Sequence, residues 1–410
     1  MSPISPDNES LRQETQIRSP RVHPEAYEIL LPMRPKSLFL VAFALFAVLN
    51  VSMMFINPIK FNREFYPYRG WLWWMVNDIK PTNTTYDVAL LGSSVMVAAV
   101  TTADATSSGK PLDIILHHKS EYMDKQLAVN GVPKQQTMNL SGPGQMPSDA
   151  LLIFMALSDH LKEGSTVVYG LAPRDFFDSS FQSASDTESY KYLRRMIELH
   201  PRVNAHYHQY FWDKVNALLE RGVYLYDRSA EIQTKWFHNM ENFLIKLFPG
   251  YEDSTFTYWD RKALLPGYKG AEFHPRASMC APEDLNKPHE FIDNTFEYFL
   301  RYRRPNPAVF DAQLYFLRKL SEECNKKKAK LIIVNMPITE VNMALLPRHH
   351  YQNYMTALKD FSKSYNVKFV DLNNPKVFPK TDFRDGVHMN AHGGMKFIEL
   401  VAPEIASTRK

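Results

Sequence analysis

From Ser37 to Ile59 the chain reads SLFLVAFALFAVLNVSMMFINPI, without one charged residue. A helix rises 1.5 Å per residue, so about 20 apolar residues cross a hydrocarbon core of about 30 Å. The stretch therefore predicts one membrane-spanning helix over residues 37–59. A cleaved signal peptide is the competing reading. Against it, roughly three dozen mostly polar residues precede the apolar run, and no small-x-small site follows. A buried core helix would not normally be apolar all round for so long. Beyond the span come Phe65, Tyr66, Tyr68, Trp71, Trp73 and Trp74, rings of the kind that settle at a membrane–water interface.

Basic residues give the expected orientation. Arg18, Arg21, Arg34 and Lys36 flank the span on its N-terminal side, against Lys60, Arg63 and Arg69 on the other. This slight excess favours a cytoplasmic N-terminus and an extracytoplasmic C-terminal part. Residues 1–36, rich in Pro, Ser, Arg and Glu, read as a disordered cytoplasmic tail. Residues 60–85 read as a juxtamembrane segment.

The rest of the chain has the balance of a folded domain, 45% hydrophobic and 22% charged overall. A net charge of +4 with scattered basic residues argues against nucleic acid as a partner. The run Lys326-Lys327-Lys328 reads as a solvated helix end. His117-His118, His349-His350 and His206-x-His208 lack the acid or cysteine spacing of a metal site, so neither metal nor cofactor is expected. Cys280 and Cys324 are either one disulfide or two buried thiols; the sequence does not choose.

Short apolar runs alternate with helical stretches. Val88–Leu91, Thr137–Leu140, Thr166–Leu171, Leu331–Asn335 and Val367–Leu372 read as five strands. Pro147–Lys162 (with Gly164 as a stop), Phe310–Asn325 and Tyr351–Tyr365 read as helices between them. Apolar strands separated by helices predict a parallel sheet covered on both faces, a three-layer α/β/α flavodoxin-like sandwich. The expected catalytic domain is 86–178 with 306–410. A mostly helical insertion, 179–305, rich in Tyr, Trp, His and Arg, lies between.

In an open parallel sheet, functional residues gather past the carboxyl ends of the strands. Those positions hold Gly92-Ser93-Ser94, then Asn139-Leu140-Ser141-Gly142-Pro143-Gly144, then Gly170-Leu171-Ala172-Pro173-Arg174-Asp175. Last comes Asp385-Gly386-Val387-His388-Met389-Asn390. A serine hydroxyl needs a base to take its proton, and the base works better when a carboxylate fixes its tautomer. Asp-x-x-His in one tight turn supplies both groups, and Ser94 can meet them across the sheet edge. Gly144 would let a substrate carbonyl approach a backbone N–H.

This ordered set resembles the SGNH (GDSL-type) hydrolase superfamily over roughly residues 86–178 and 329–400. The resemblance implies Ser94 as nucleophile, His388 as base, Asp385 as its orienter, and Gly144 and Ser94 N–H groups as oxyanion donors. Two positions depart from the pattern. Ser93 stands where the family has aspartate, and the third block lacks its asparagine. Arg174 has two readings there, an oxyanion or substrate contact, or a structural partner of Asp175 or Asp178.

The departures and the anchor are similar to the membrane-associated branch that includes the teichoic-acid D-alanylation and alginate O-acetylation proteins. That likeness implies an extracytoplasmic serine esterase or O-acyltransferase acting on acyl groups of a cell-envelope polysaccharide. Its expected partners are the membrane, an acylated glycan or acyl donor, and a multi-span membrane acyltransferase. The alternative is a catalytically weak glycan-binding or scaffold protein of the same fold.

Overall fold

The computed structural model describes residues 35–61, 70–180, 183–248, 279–287 and 289–409. The expected tail up to Arg34, the aromatic residues Phe65, Tyr66 and Tyr68, and residues 249–278 of the expected insertion lie outside the described residues. The chain forms two units, 1–58 and 59–410.

In the first unit, α1 (Pro35–Ile56) is long and apolar enough to cross a membrane. Its Leu38, Phe39, Leu40, Phe43, Leu45 and Phe55 side chains are exposed.

The second unit begins with α2 (Trp71–Ile79), which corrects one expectation. Its tryptophans are core residues rather than a membrane belt. Leu72, Trp73, Met75, Val76 and Ile79 are buried, and Trp71 and Trp74 pack against the same core. The physical reason is the period: these apolar positions lie along one helical face, which gains about 1.5–3 kcal/mol for each large side chain it buries.

The sheet starts at β1 (Tyr86–Gly92), followed by α3 (Ser94–Ser108), β2 (Leu112–Asp113), α4 (Glu121–Val129) and β3 (Thr137–Asn139). Next come α5 (Pro147–Leu157) and β4 (Leu161–Leu171). The expected helix to Lys162 thus ends early. After α5 a 3₁₀ turn, Ser158–His160, leads directly into the strand, and Gly164, expected to stop a helix, sits inside β4 at φ +75°.

Helices then dominate: α6 (Arg174–Phe177), α7 (Glu188–Leu193), α8 (Pro201–Tyr207), α9 (Phe211–Gly222), α10 (Tyr224–Asp227) and α11 (Ser229–Leu247). The short β5 (Met279–Cys280) pairs antiparallel with β2. The chain closes through α12 (Thr295–Tyr302), α13 (Pro307–Lys326), β6 (Lys330–Asn335), α14 (Glu340–Leu345), α15 (Arg348–Tyr365), β7 (Lys368–Asp371) and α16 (Ala391–Ser407).

The main sheet has the order β3-β1-β4-β6-β7, parallel throughout. One face is covered by α3, α4 and α16, the other by α2, α5, α13 and α15. The α/β expectation with a five-stranded parallel sheet and a largely helical remainder therefore holds. The strand order reverses at β1, which opens a crevice at the carboxyl ends of β1 and β4. Cys280 and Cys324 are separate buried thiols.

Candidate active site

Ser94 stands at the first position of α3, immediately past β1. The turn that puts it there depends on Gly92, at φ +153°, whose Cβ would lie 2.7 Å from Met96 Cβ and 3.0 Å from Gly170 O. Only glycine lets β1 break so close to both the helix and the neighbouring strand. Ser93 precedes Ser94 as a buried N-cap residue in extended conformation, and its hydroxyl faces the buried Asp175.

His388 and Asp385 share a tight loop. Arg384 N–H donates to His388 O at 2.8 Å, and Phe383 bridges to Met389. Asp385 folds this loop itself: one carboxylate oxygen accepts the Val387 and His388 N–H groups, each at 2.9 Å. The other oxygen meets His388 Nδ1 at 2.7 Å. An aspartate accepting from residues two and three ahead is a local turn device, and here it also aims the imidazole.

The far side of that ring, Nε2, lies 2.9 Å from Ser94 Oγ. Ser94, His388 and Asp385, separated by nearly the whole domain in sequence, are thus joined in one hydrogen-bonded line. Burial works against ionisation of Asp385. The hydrogen bond and charge of His388, with the two backbone donors, outweigh it and hold the carboxyl below its usual value. The group is therefore built to stay anionic beside the imidazole.

Ser94 and Gly144 carry the two N–H groups that the sequence singles out as oxyanion donors. Ser94 contributes the first free turn of α3, where helix N–H groups have no partner within the helix. Gly144 adopts φ +74° in the loop after β3. Among the described residues neither N–H has a hydrogen-bond acceptor. The Gly144 loop is pinned beside β1 by Gln145, whose Oε1 accepts from Gly92 N–H at 2.8 Å and whose Nε2 donates to Leu140 O at 2.9 Å. Asn139 shapes the same loop by accepting from Ser141 N–H and Oγ at 3.2 and 2.5 Å.

Arg174, the residue with two readings, lies among carboxylates. It is buried, with Nε 3.0 Å from Asp178 and Nη1 3.8 Å from Asp175. Arg301 reinforces Asp178 at 2.6 Å. The guanidinium is therefore paired with two carboxylates of the third block and the turn after it.

Sequence reasoning missed a second set of contacts. Glu283, from the C-terminal part of the expected insertion, grips Arg384 through Nε and Nη2 at 3.1 and 2.6 Å. Its other oxygen accepts from Ala391 N–H at 2.8 Å. Asn294 Oδ1 accepts from Gly386 N–H at 2.9 Å, and Ile292 N–H donates to Arg384 O at 2.7 Å. Residues 283–294 therefore strap the loop that bears His388 and Asp385.

The site and the fold together define an α/β domain with a Ser–His–Asp hydrogen-bond line at its topological switch point. One family model matches residues 309–409, the stretch from α13 through α16. No curated protein matches the sequence. Solved structures that resemble the chain include a candidate acylhydrolase from Bacteroides fragilis, at 10% identity and TM-score 0.33, covering 79% of this chain and 88% of that one. A candidate GDSL-like lipase from Parabacteroides merdae is similar at 11% identity and TM-score 0.30, covering 79% of this chain and 98% of the other. Neither likeness bears on the chemistry here.

Proposed function

We propose that this protein is a membrane-anchored serine esterase or O-acyltransferase that works through an acyl-Ser94 intermediate. The observation that carries this reading is the line from Ser94 Oγ to His388 Nε2 at 2.9 Å and from His388 Nδ1 to Asp385 at 2.7 Å. In the proposed reaction Ser94 Oγ attacks an ester carbonyl while its proton passes to His388 Nε2. Asp385 stabilises the imidazolium that forms. The Ser94 and Gly144 N–H groups hold the tetrahedral oxyanion. Collapse breaks the bond to the leaving oxygen, which takes the proton back from His388, and leaves the acyl group on Ser94. Water then completes hydrolysis, or an acceptor hydroxyl completes transfer, by the same steps in reverse order.

We place the catalytic unit outside the cytoplasm, held by α1, with acyl groups of a cell-envelope polysaccharide as substrate. The charge-free span and the basic residues before it support the placement. The likeness of the two motif departures and the anchor to the membrane-associated branch is what suggests the substrate. Mass spectrometry of envelope glycans from cells carrying wild type or Ser94→Ala tests it. Lost acylation in the variant indicates transfer, and accumulated acylation indicates an esterase. Identical glycans would remove the polysaccharide from the account.

A further inference from the structure

Within the second unit, a cavity of about 810 Å³ lies where the start of α9 faces the end of α12. Ligand sites typically enclose roughly 300–1,000 Å³, mostly apolar with a few placed polar groups. Phe177, Leu300 and Val309 supply apolar lining here, and Tyr210 and Trp212 supply aromatic rings. Tyr210 is held in place by Asn306, whose Nδ2 donates to its hydroxyl at 2.7 Å. Trp212 meets Phe211 edge-on with ring centroids 5.2 Å apart, yet remains 70% exposed. An indole this open on a cavity wall offers a stacking surface.

The charged groups around the cavity say what kind of ligand suits it. Arg301 is taken by Asp178 at 2.6 Å and Glu297 at 2.7 Å. Asp213 accepts from the Ser183 hydroxyl at 2.7 Å and from Tyr210 N–H at 3.1 Å. Asp186, Arg303 and Arg304 remain, and among the described residues their side chains have no hydrogen-bond or ion-pair partner. They present one strong acceptor and two strong donors. An anion would be repelled by Asp186, a cation by Arg303 and Arg304, and an acyl chain would strip water from all three. A polyol suits every one of them, because each hydroxyl both donates and accepts. The C–H bonds of a sugar ring can also meet the negative face of the indole.

α12 ties this cavity to the catalytic loop. Asn294, just before the helix, accepts from Gly386 N–H at 2.9 Å, and Leu300 and Arg301 in its last turn line the cavity. Between them the buried Tyr298 lies within electrostatic reach of both Asp385 and Arg174. The eight residues of α12 span about 12 Å. A ligand that reaches both ends is therefore a chain of sugars rather than one ring.

We propose that this cavity is a saccharide subsite, which holds one part of a glycan chain on Trp212, Asp186, Arg303 and Arg304 while Ser94 acts on an acyl group further along. This rests on the polysaccharide substrate proposed above and gives that substrate a place on the protein.

The test uses the full chain carrying Ser94→Ala, so that bound glycan is not turned over, in detergent micelles. It is titrated by calorimetry with a hexasaccharide fraction of enzymatically shortened, still acylated envelope polysaccharide from the cells that make the protein. In that background Trp212→Ala and Asp186→Asn are each expected to weaken binding by about 10-fold or more, with unchanged thermal midpoints, since both side chains are exposed. Variants that melt with the parent and bind as tightly would overturn the subsite and leave the polysaccharide reading standing. Displacement of the glycan by inorganic phosphate, abolished in Arg303→Ala, would overturn it as well and make the cavity an anion site. No binding by the parent would reject the polysaccharide reading itself, and the subsite with it.

Discussion

Glu283 holds Arg384 through two hydrogen bonds, and Arg384 is the residue immediately before Asp385. A side chain far away in sequence thus fixes the backbone from which the carboxylate and imidazole are aimed. Its second oxygen also reaches Ala391 N–H at the start of α16, so one carboxylate closes both ends of the loop. Charge-assisted pairs of this kind are the stronger hydrogen bonds.

Glu283→Ala is expected to lower kcat by roughly 10-fold to 100-fold, the scale of an ångström misplacement of catalytic groups. KM should change little, because the residue touches no reacting atom. Steady-state kinetics on a chromogenic short-chain ester would show the split. An unchanged kcat would mean that Asp385 holds its loop unaided.

Asp385→Asn should leave the fold intact and lower kcat by about 10³–10⁴-fold, since an amide cannot stabilise the imidazolium and favours the wrong tautomer. The thermal midpoint separates this from unfolding. A variant that melts with wild type yet keeps its rate would remove Asp385 from the mechanism.

Glu188 gives a pH dependence of stability. Burial, with the Asp149 carboxylate nearby, pushes it up to about 7, while an unfolded glutamate titrates near ~4.3. Between those values the folded protein binds more protons than the unfolded chain, so stability falls as pH rises and levels off above about 7. Glu188→Gln should therefore raise Tm by about a few degrees at pH 8 and leave it unchanged near pH 4.5. Scanning calorimetry across that range would expose the opposite slope.

Gly394 lies where α16 crosses α3. A Cβ there would sit 2.4 Å from Ala99 O and 2.7 Å from Thr102 Oγ1. Gly394→Ala is expected to cost about 1–3 kcal/mol through overpacking. Denaturant unfolding checks this, and an unchanged midpoint would mean the helices separate without penalty.

The sheet of the second unit was legible because its strands are short apolar runs, and β1, β4 and β6 are buried almost throughout their expected cores. The order of the strand-end blocks brought Ser94, Asp385 and His388 forward before any geometry. The early start of β4 was hidden because Lys162, Glu163 and Gly164 face solvent and carry no apolar pattern. Trp71, Trp73 and Trp74 misled because aromatic residues just past an apolar span look like an interface belt. The buried positions from Leu72 to Ile79 were the contrary signal. Glu283 and Asn294 left no trace in local spacing, since their partners lie about a hundred positions away.

The central claim is that Ser94 is a nucleophile activated by His388. Incubation with a fluorophosphonate, followed by peptide mass spectrometry, tests it most directly. One adduct per chain is expected, on the peptide containing Ser94, with labelling lost in Ser94→Ala and slowed by about 10³-fold or more in His388→Ala. Equal, weak labelling of wild type and Ser94→Ala would contradict the account.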